Sequence, residues 1–594
     1  MSQRCGAWQV GDAQDAGGIE FRVFLPPDVD PHLETVGVAG TFQSQLGGRD
    51  WDFGAAVALT KQVDAAGTFW SAQTDPVPRG FYEYKYVVTF DDGTPARIVT
   101  DPCTRYGGKT DQNAAVAIGG SPVDGRPPQP LAERRPLRDL NVYELMIDDF
   151  TAGERGPRAP LAAVVDRLDA IAQLGFNAIL FLPWTAWGSD DFNWGYTPFQ
   201  HFALAPRYAD QWDDPAEKLT QLRTLVDACH AHDIHVIMDG VFNHVTPAFP
   251  YPQFYSNPAL CPYTGQFGGA FGNLTDLNFD SACTRQLVQD ACLYWIDAFG
   301  IDGIRFDDTK DYYEASDPHG IQELLEDLTA ELARRGQENF SLTLEHIDLS
   351  VTELVNRYPA TSYWDNALWE VTRDALTGGG VDARLLGALN DRRFLAEPDK
   401  KLPTVYLSNH DHSQIAGLCG STGAPGASAR WFKTQPFVIA LFTSTGVPLV
   451  PNGQELGEEH LLPEDDHGTS RRVLPRPVRW QLANDPIGGA LGRLHGTMAR
   501  MRLAHPALRS PNMEPTSFDA ARQLAIYHRW DDAAGEHIVV VLNFSDVDQQ
   551  VSVPLPAPGD WTDLLSDAPF VLHTDGGARD CVVTSNWGRV LLKA

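Results

Sequence analysis

Residues 300–310 read GIDGIRFDDTK. A glycine closes a helix-patterned stretch, a short apolar run follows, and acids end it. Such a run, bounded by turn residues, reads as a buried strand. Alternation along it puts Arg305 and Asp307 on one face. Three other segments share this design. IMDGVFNHV places Asp239, SLTLEHID places Glu345 and VYLSNHD places Asp411 at the end of an apolar run. A (β/α)8 barrel spends roughly 30 residues on each strand–helix unit and carries its chemistry at the C-terminal ends of its strands. Asp307 to Glu345 is one such step, and Glu345 to Asp411 is two. Asp239 to Asp307 is one step with room for an insertion. The spacing therefore predicts several acids on one rim.

Eight segments read as strands: NVYELMI, NAILFLP, HVIMDGVFN, GIRFDD, SLTLEHI, TSYWDN, TVYLSNHD and GVPLVPNGQ. Helix-patterned stretches alternate with them. LAAVVDRLDAIAQLG is one, closed by Gly175; EKLTQLRTLVDACHAHD, TRQLVQDACLYWIDAFG and IQELLEDLTAELARRG are others. The alternation predicts an α/β fold, a closed parallel (β/α)8 TIM barrel over 137–508, with a short irregular insertion at about 246–276. Residues 1–130 are all-β in pattern (GIEFRVFLP, ETVGVAGTF, GFYEYKYVVTF) and predict an N-terminal, immunoglobulin-like β-sandwich. Residues 121–136 are proline-rich and read as a linker. Residues 509–594 (QLAIYHRW, HIVVVLNFS, QQVSVPL, RVLLKA) predict a C-terminal β-sandwich domain.

A chain of 594 residues is too long for one core. Its formal net charge of −32 argues against nucleic acid or an anionic membrane as partner, whereas a neutral substrate tolerates it. The eight cysteines are scattered, so free thiols are the expectation, with Cys261 and Cys283 flanking the insertion as the one candidate pair. MSQRCGAWQVGDAQ lacks a basic segment followed by an apolar run, and cytoplasmic residence is expected. Cys229, His230, His232 and His235 straddle a helix end and a strand start, so they read as helix-end residues rather than a metal cluster. Asp465 and Asp466 read as a solvated loop. The Gly-, Ala- and Ser-rich stretch 412–429 reads as a mobile part of the rim.

The chemistry follows from the acids. A guanidinium beside a carboxylate lowers its pKa, so Arg305 would keep Asp307 ionised and suited to nucleophilic attack. Glu345 then does the opposite job and donates a proton to the leaving oxygen. A retaining glycosidase holds two such carboxyls ~5–5.5 Å apart. Asp411 is a third acid that can grip sugar hydroxyls. His244 and His410 can donate hydrogen bonds, and Trp187, Trp194, Tyr196 and Trp364 suit stacking on pyranose faces. A lone acid at a strand end is more often a cap or turn residue. Three acids with Arg305 and two Asn-His pairs in barrel spacing outweigh that reading. Asp239 suits a supporting role as well as substrate contact.

These segments resemble the four signature regions of the α-amylase family of retaining α-glucan hydrolases and transferases: DGVFNH, GIRFDDTK, LTLEH and SNHD. FNWGYTPFQHFALAPRYA resembles the family stretch whose Tyr stacks at the cleaved sugar, here Tyr196, and GVPLVPNGQELG resembles the eighth-strand segment. The resemblance spans about 140–510. It implies Asp307 as nucleophile, Glu345 as acid/base and Asp411 as transition-state stabiliser. Arg305, His244, His410, Tyr196, Asp239 and Lys310 fall among the substrate-binding positions. Asn243 matches a calcium ligand of the family, and no redox or organic cofactor is implied. Two positions depart from the pattern: Asp311 follows Lys310 where calcium-binding members often carry His, and His346 follows Glu345 where many carry an aromatic or aliphatic residue. The flanking segments resemble the family's N-terminal sandwich, a candidate glucan-binding module, and its C-terminal β domain. The implied activity is cleavage of α-1,4 and α-1,6 glucosidic bonds in starch- or glycogen-derived oligo- or polysaccharides, with no nucleic acid or membrane partner and the oligomeric state open. A transglycosylase (branching, glucanotransferase or trehalose-forming) is the alternative. A non-catalytic glycan-binding protein predicts a missing acid, and none is missing.

Overall fold

The computed structural model describes residues 4–594 except 12–14, 108–112, 121–126, 155, 157–159, 188–193, 209–216, 271, 273, 391–396, 399, 420–426 and 463–472. Its centre is a closed parallel barrel of β1 (Val142–Leu145), β2 (Ala178–Phe181), β3 (His235–Gly240), β4 (Gly303–Phe306), β5 (Ser341–Leu344), β6 (Ser362–Asp365), β7 (Leu402–Tyr406) and β8 (Val447–Pro451). Each lies in one of the eight apolar segments. These strands are apolar on both faces because helices cover the outside while side chains fill the lumen. Val142, Ala178, Leu180, Ile237, Trp364, Leu402, Tyr406, Val447 and Leu449 form that inner cluster. The two-residue period then carries the inner face from Val142 to Glu144, from Ile237 to Asp239 and from Gly303 to Arg305. A dry floor thus lies under a charged rim.

The helices Glu217–Ala231, Ala282–Phe299 and Ile321–Arg334 fall where their periodicity put them. Gly300 ends the second with φ +74°, its N–H bonded to the Ile296 carbonyl at 2.8 Å. A Cβ there would lie 2.9 Å from Pro128 Cβ, so glycine is required twice over. The stretch read as one helix up to Gly175 is two, Pro160–Val165 and Leu168–Leu174. Arg167 tightens the junction with a bond to the Val164 carbonyl and lays its guanidinium on Trp480, 4.4 Å from the ring centroid.

Two excursions roof the barrel. An antiparallel ribbon, Thr185–Trp187 with Pro198–Leu204, follows β2. After β3 the expected insertion holds a second ribbon, His244–Val245 with Thr275–Asp276, and two 3-10 turns. Of the stretch expected to be a mobile rim, residues 412–419 are buried. Gln414 bonds the His460 carbonyl there, and a turn at Ile415–Leu418 packs inward. Asp465 and Asp466 lie outside the described residues.

The N-terminal domain is two sheets, one around Ala16–Leu25 and one around Gly80–Phe90, with Phe21 and Tyr84 meeting between them at 4.9 Å. A disulfide joins Cys5 to Cys103, contrary to the free-thiol expectation, while Cys261 and Cys283 are both free. Cys5 and Cys103 are 98 residues apart, too distant for spacing to suggest the bond. Arg97 docks the domain on the roof through the carbonyls of Gln253, Tyr255 and Ser256 at 3.2, 2.6 and 2.8 Å. The stretch read as a linker is fastened to the barrel floor, since Arg134 pairs with Asp302 and Arg135 with Asp233. The C-terminal domain packs a six-stranded sheet against the pair Gln549–Leu555 and Gly577–Val583. Buried Arg529 ties it to the barrel by donating to the carbonyls of Ser444 and Ser510, each at 2.6 Å. Among the described residues no helix is long and apolar enough to cross a membrane.

His230, His232 and His235 go separate ways. His230 faces Asp302 at 3.0 Å, His232 faces Asp169 at 2.9 Å, and His235 accepts the Arg135 N–H at 3.2 Å.

Candidate active site

Asp307 and Glu345 stand one residue beyond β4 and β5, yet the barrel register still holds them. Asp307 N–H donates to the Gly240 carbonyl at 3.0 Å and Glu345 N–H to the Phe306 carbonyl at 2.9 Å. The β3–β4 pairing sets Asp239 beside Arg305. Three carboxyls therefore converge on one guanidinium. Arg305 Nη1 lies 2.7 and 2.9 Å from the two Asp239 oxygens and 2.7 Å from Asp307 Oδ1. Nη2 lies 2.9 Å from Glu345 Oε2, an ion-pair contact. Arg305 is wholly buried. Burial alone would lower its pKa, but Asp239, Glu345 and Asp307 raise it well above the usual value.

One cation cannot neutralise three acids, two of them buried. Burial, then the charges of Glu345 and Asp239, pushes Asp307 well above the usual carboxylate range, against the pull of Arg305. Asp239 is likewise raised, chiefly by burial. The expectation that Arg305 simply lowers Asp307 counted one neighbour and missed the desolvation. Crowding and burial thus both favour the protonated form of these two carboxyls.

Across the pocket, Tyr196 donates its hydroxyl to Asp239 at 2.7 Å and stacks on His410, centroids 5.1 Å apart and planes 15° apart. His410 Nε2 is 3.3 Å from Asp411 Oδ2, and Nδ1 is 2.9 Å from Glu144 Oε1. The Asp411 carboxylate is 32% exposed, so it remains open to a ligand. His244 gives its Nε2–H to the Tyr196 carbonyl at 2.8 Å, and burial lowers its pKa to about 4. That donor supports the Tyr196 loop instead of pointing at a sugar.

Lys310 stands apart from the Arg305 cluster, half-exposed between Asp308 at 3.0 Å and Asp311 at 2.9 Å. Asp308, at φ +41°, donates its N–H to Glu345 Oε2 at 2.8 Å. Burial and then Glu345 raise the Asp308 carboxyl to about 8. His346 is buried between Thr309 and Ser350 rather than facing the acceptor side. Trp187, Trp194 and Trp364 are all under 5% exposed and form wall and floor, not sugar platforms. Sequence reasoning missed Glu144 and Arg476, whose guanidinium reaches the His410 carbonyl. A charged residue inside the apolar run NVYELMI was the available signal for Glu144.

Asn243 is buried, and neither end of its amide has a hydrogen-bond partner among the described residues. A calcium ion takes six to eight oxygens, carboxylates prominent among them. The trio of metal-type ligands among the described residues is Asp280, Asp317 and His319, which does not include Asn243. No step is derived through the ion.

Residues 145–256 match the model of the alpha amylase catalytic domain, and 517–590 match that of the alpha amylase C-terminal all-beta domain. These two stretches are what the chain shares with the α-amylase family. It is similar to alpha-amylase MalA of Haloarcula japonica, 26% identical over 96% of this chain and 80% of that protein. It is also similar to 1,4-alpha-glucan branching enzyme GlgB of Rhodopseudomonas palustris, 22% identical over 93% of this chain and 76% of that one. The structure of pullulanase type I from Bacillus subtilis str. 168, complexed with maltose, superposes with a TM-score of 0.79 at 18% identity. The match covers 100% of this chain and 86% of that one and is a likeness of fold. Two carboxyls held against one guanidinium are an arrangement that can attack and protonate a single bond.

Proposed function

We propose that this protein is a retaining glycoside hydrolase of α-glucans. It cleaves α-1,4 and also α-1,6 glucosidic bonds in starch- or glycogen-derived chains. Asp307 attacks the anomeric carbon while Glu345 protonates the leaving oxygen. Glu345 then takes a proton from the water that releases the glycosyl ester. Asp411 and His410 hold ring hydroxyls. The observation that carries this reading is that Asp307 and Glu345 both lie against Arg305. Their oxygens are separated by no more than one guanidinium and two contacts. That sets both carboxyls at one pocket, as a pair acting on a single glycosidic bond requires.

No cofactor enters these steps. The partner is an α-glucan or maltooligosaccharide, with no nucleic acid or membrane. Cytoplasmic residence belongs to the same proposal. Six free cysteines accord with it, and the Cys5–Cys103 disulfide opposes it.

The test is product analysis on maltooligosaccharides and pullulan, with the anomeric configuration followed by NMR. Shorter α-configured products, abolished in Asp307→Asn, are expected. β-configured products, or normal turnover in Asp307→Asn, would refute the assignment. Longer or branched products would make the enzyme a transglycosylase, in line with the similarity to a branching enzyme.

A further inference from the structure

We propose that Glu144 is the positioning residue of this site: its carboxylate takes the Nδ1–H of His410 and turns the ring so that Nε2–H faces Asp411 and the sugar. The inference deepens the glycosidase reading and rests on it for the sugar. Glu144 is 1% exposed, on the inner face of β1 two residues above Val142. Its Oε1 lies 2.9 Å from His410 Nδ1, and its Oε2 has no hydrogen-bond partner among the described residues. No Lys or Arg pairs with it among those residues. A buried carboxylate without a counter-charge is costly, so the ring it faces is its compensation.

The rest of the pocket fixes the same pose. Tyr196 stacks on one face of His410, while Trp194 and Trp364 meet the ring with centroids 5.8 Å away. With Nδ1 engaged by a group that only accepts, the proton there is fixed. Nε2, 3.3 Å from Asp411 Oδ2, becomes the second donor. The charged groups facing the ring are Asp411 on its own loop, Glu144 from β1, Asp239 from β3 and Arg305 from β4. Arg476, from the segment after β8, reaches its carbonyl. Burial opposes a charged ring, but Asp411 and Glu144 outweigh burial and Arg305 together, and the His410 pKa is raised. A cation between Glu144 and Asp411 can steer Asp411 toward the sugar hydroxyls and oppose negative charge gathering on the other acids.

The experiment compares full-length wild type, Glu144→Gln and Glu144→Asp, each labelled with 15N-histidine. Without substrate, wild-type His410 should show both ring nitrogens protonated at pH 7. In Glu144→Gln the side-chain carbonyl can still accept from Nδ1–H but the charge is gone. The His410 titration and the alkaline limb of kcat/KM should then both move down by about one pH unit or more, the usual effect of losing an opposite charge at this range. Glu144→Asp should recover part of the shift. A wild-type ring that is neutral at pH 7 overturns the proposal even if the glutamine variant does not fold. So does a glutamine variant whose activity falls evenly at every pH, or not at all, with the His410 titration unmoved. The NMR arm needs no substrate, so failure of the glycosidase reading and failure of this one are told apart.

Discussion

The guanidinium of Arg305 lies 4.1 Å from the ring centroid of Trp364. The tryptophan is the floor on which the site's central cation rests, and it is 2% exposed. A desolvated cation–π contact contributes about 2 kcal/mol. Trp364→Phe keeps a π face and should retain activity within a few-fold. Trp364→Leu should lower kcat/KM by about 30-fold, the equivalent of that energy at 1.36 kcal/mol per tenfold. Equal activity of the two variants would show that Arg305 is held by its carboxylates alone.

Tyr196 has two separable jobs. Its ring stacks on His410 and its hydroxyl donates to Asp239. Tyr196→Phe removes only the second and leaves a buried carboxylate short of one donor. Hydrogen bonds to charged groups contribute about 1.5–3 kcal/mol, so kcat/KM should fall by about 10- to 100-fold. Tyr196→Leu loses the stacking as well and should fall further. Steady-state kinetics on a maltooligosaccharide separates them, and identical losses would mean that the hydroxyl does nothing.

Much of this site was legible because its acids lie at or just past strand ends: Asp239 near the end of β3, Asp307 and Glu345 one residue beyond β4 and β5, and Asp411 in the loop after β7. Asp239, Asp307, Glu345 and Asp411 could be placed on one rim from spacing alone. Glu144 was passed over because a single charge in an apolar run carries no spacing partner. Its partner, His410, is 266 residues away. The aromatics misled for a related reason: an apolar ring serves equally as wall or platform, and the ribbon after β2 buries Trp187 and Trp194. Asp307 shows the remaining gap. A strand pattern reveals that Arg305 is its neighbour, but not that Arg305, Asp239 and Asp307 lie out of water.

Asp308 should make stability depend on pH. Its folded pKa, about 8, is raised by burial and then by Glu345, above the ordinary carboxylate value of about 3.9. The folded protein therefore binds this proton more tightly than the unfolded chain does. Stability falls as pH rises from about 4 to about 8, and the whole penalty is present above that. Asp308→Asn removes the penalty and tolerates the left-handed backbone at φ +41°. Its melting temperature should exceed the wild-type value by more at pH 9 than at pH 4. Calorimetry at the two pH values checks this, and a constant difference would count against it.

The Cys5–Cys103 disulfide closes a separation of 98 residues, nearly the whole N-terminal domain. Bonds closing long loops chiefly restrict the unfolded chain and typically stabilise by about 2–4 kcal/mol. The paired replacement Cys5→Ser/Cys103→Ser should lower the denaturant midpoint of the N-terminal domain by that order. Initial activity should survive, since neither cysteine touches the Arg305 cluster. Unfolding curves with and without reductant test it, and coincident curves would mean that the bond carries no stability.

The barrel floor supplies the last expectation. His230 and Asp302 form a pair whose side chains are 0% and 1% exposed, 3.0 Å apart. Asp302 also takes the Val236 N–H at 2.9 Å and an Arg134 contact at 3.0 Å. Burial alone would lower His230, but Asp302 outweighs it and the pKa is raised. Burial alone would raise Asp302, but the bond and charge of His230 outweigh it and the pKa is lowered. A raised histidine stabilises fully below its ordinary value and loses that contribution as pH rises through the folded one. A lowered aspartate stabilises above its ordinary value and loses that contribution as pH falls. The pair is therefore at full strength between about pH 4 and 6.5, the two ordinary values. Asp302→Asn leaves a buried imidazole without its counter-charge and should cost about 3–5 kcal/mol inside that window. The gap should narrow toward pH 9 as the histidine gives up its charge. Urea midpoints of both proteins at pH 5.5 and 9 decide it, and a gap of equal size at the two values would rule out the charge pairing.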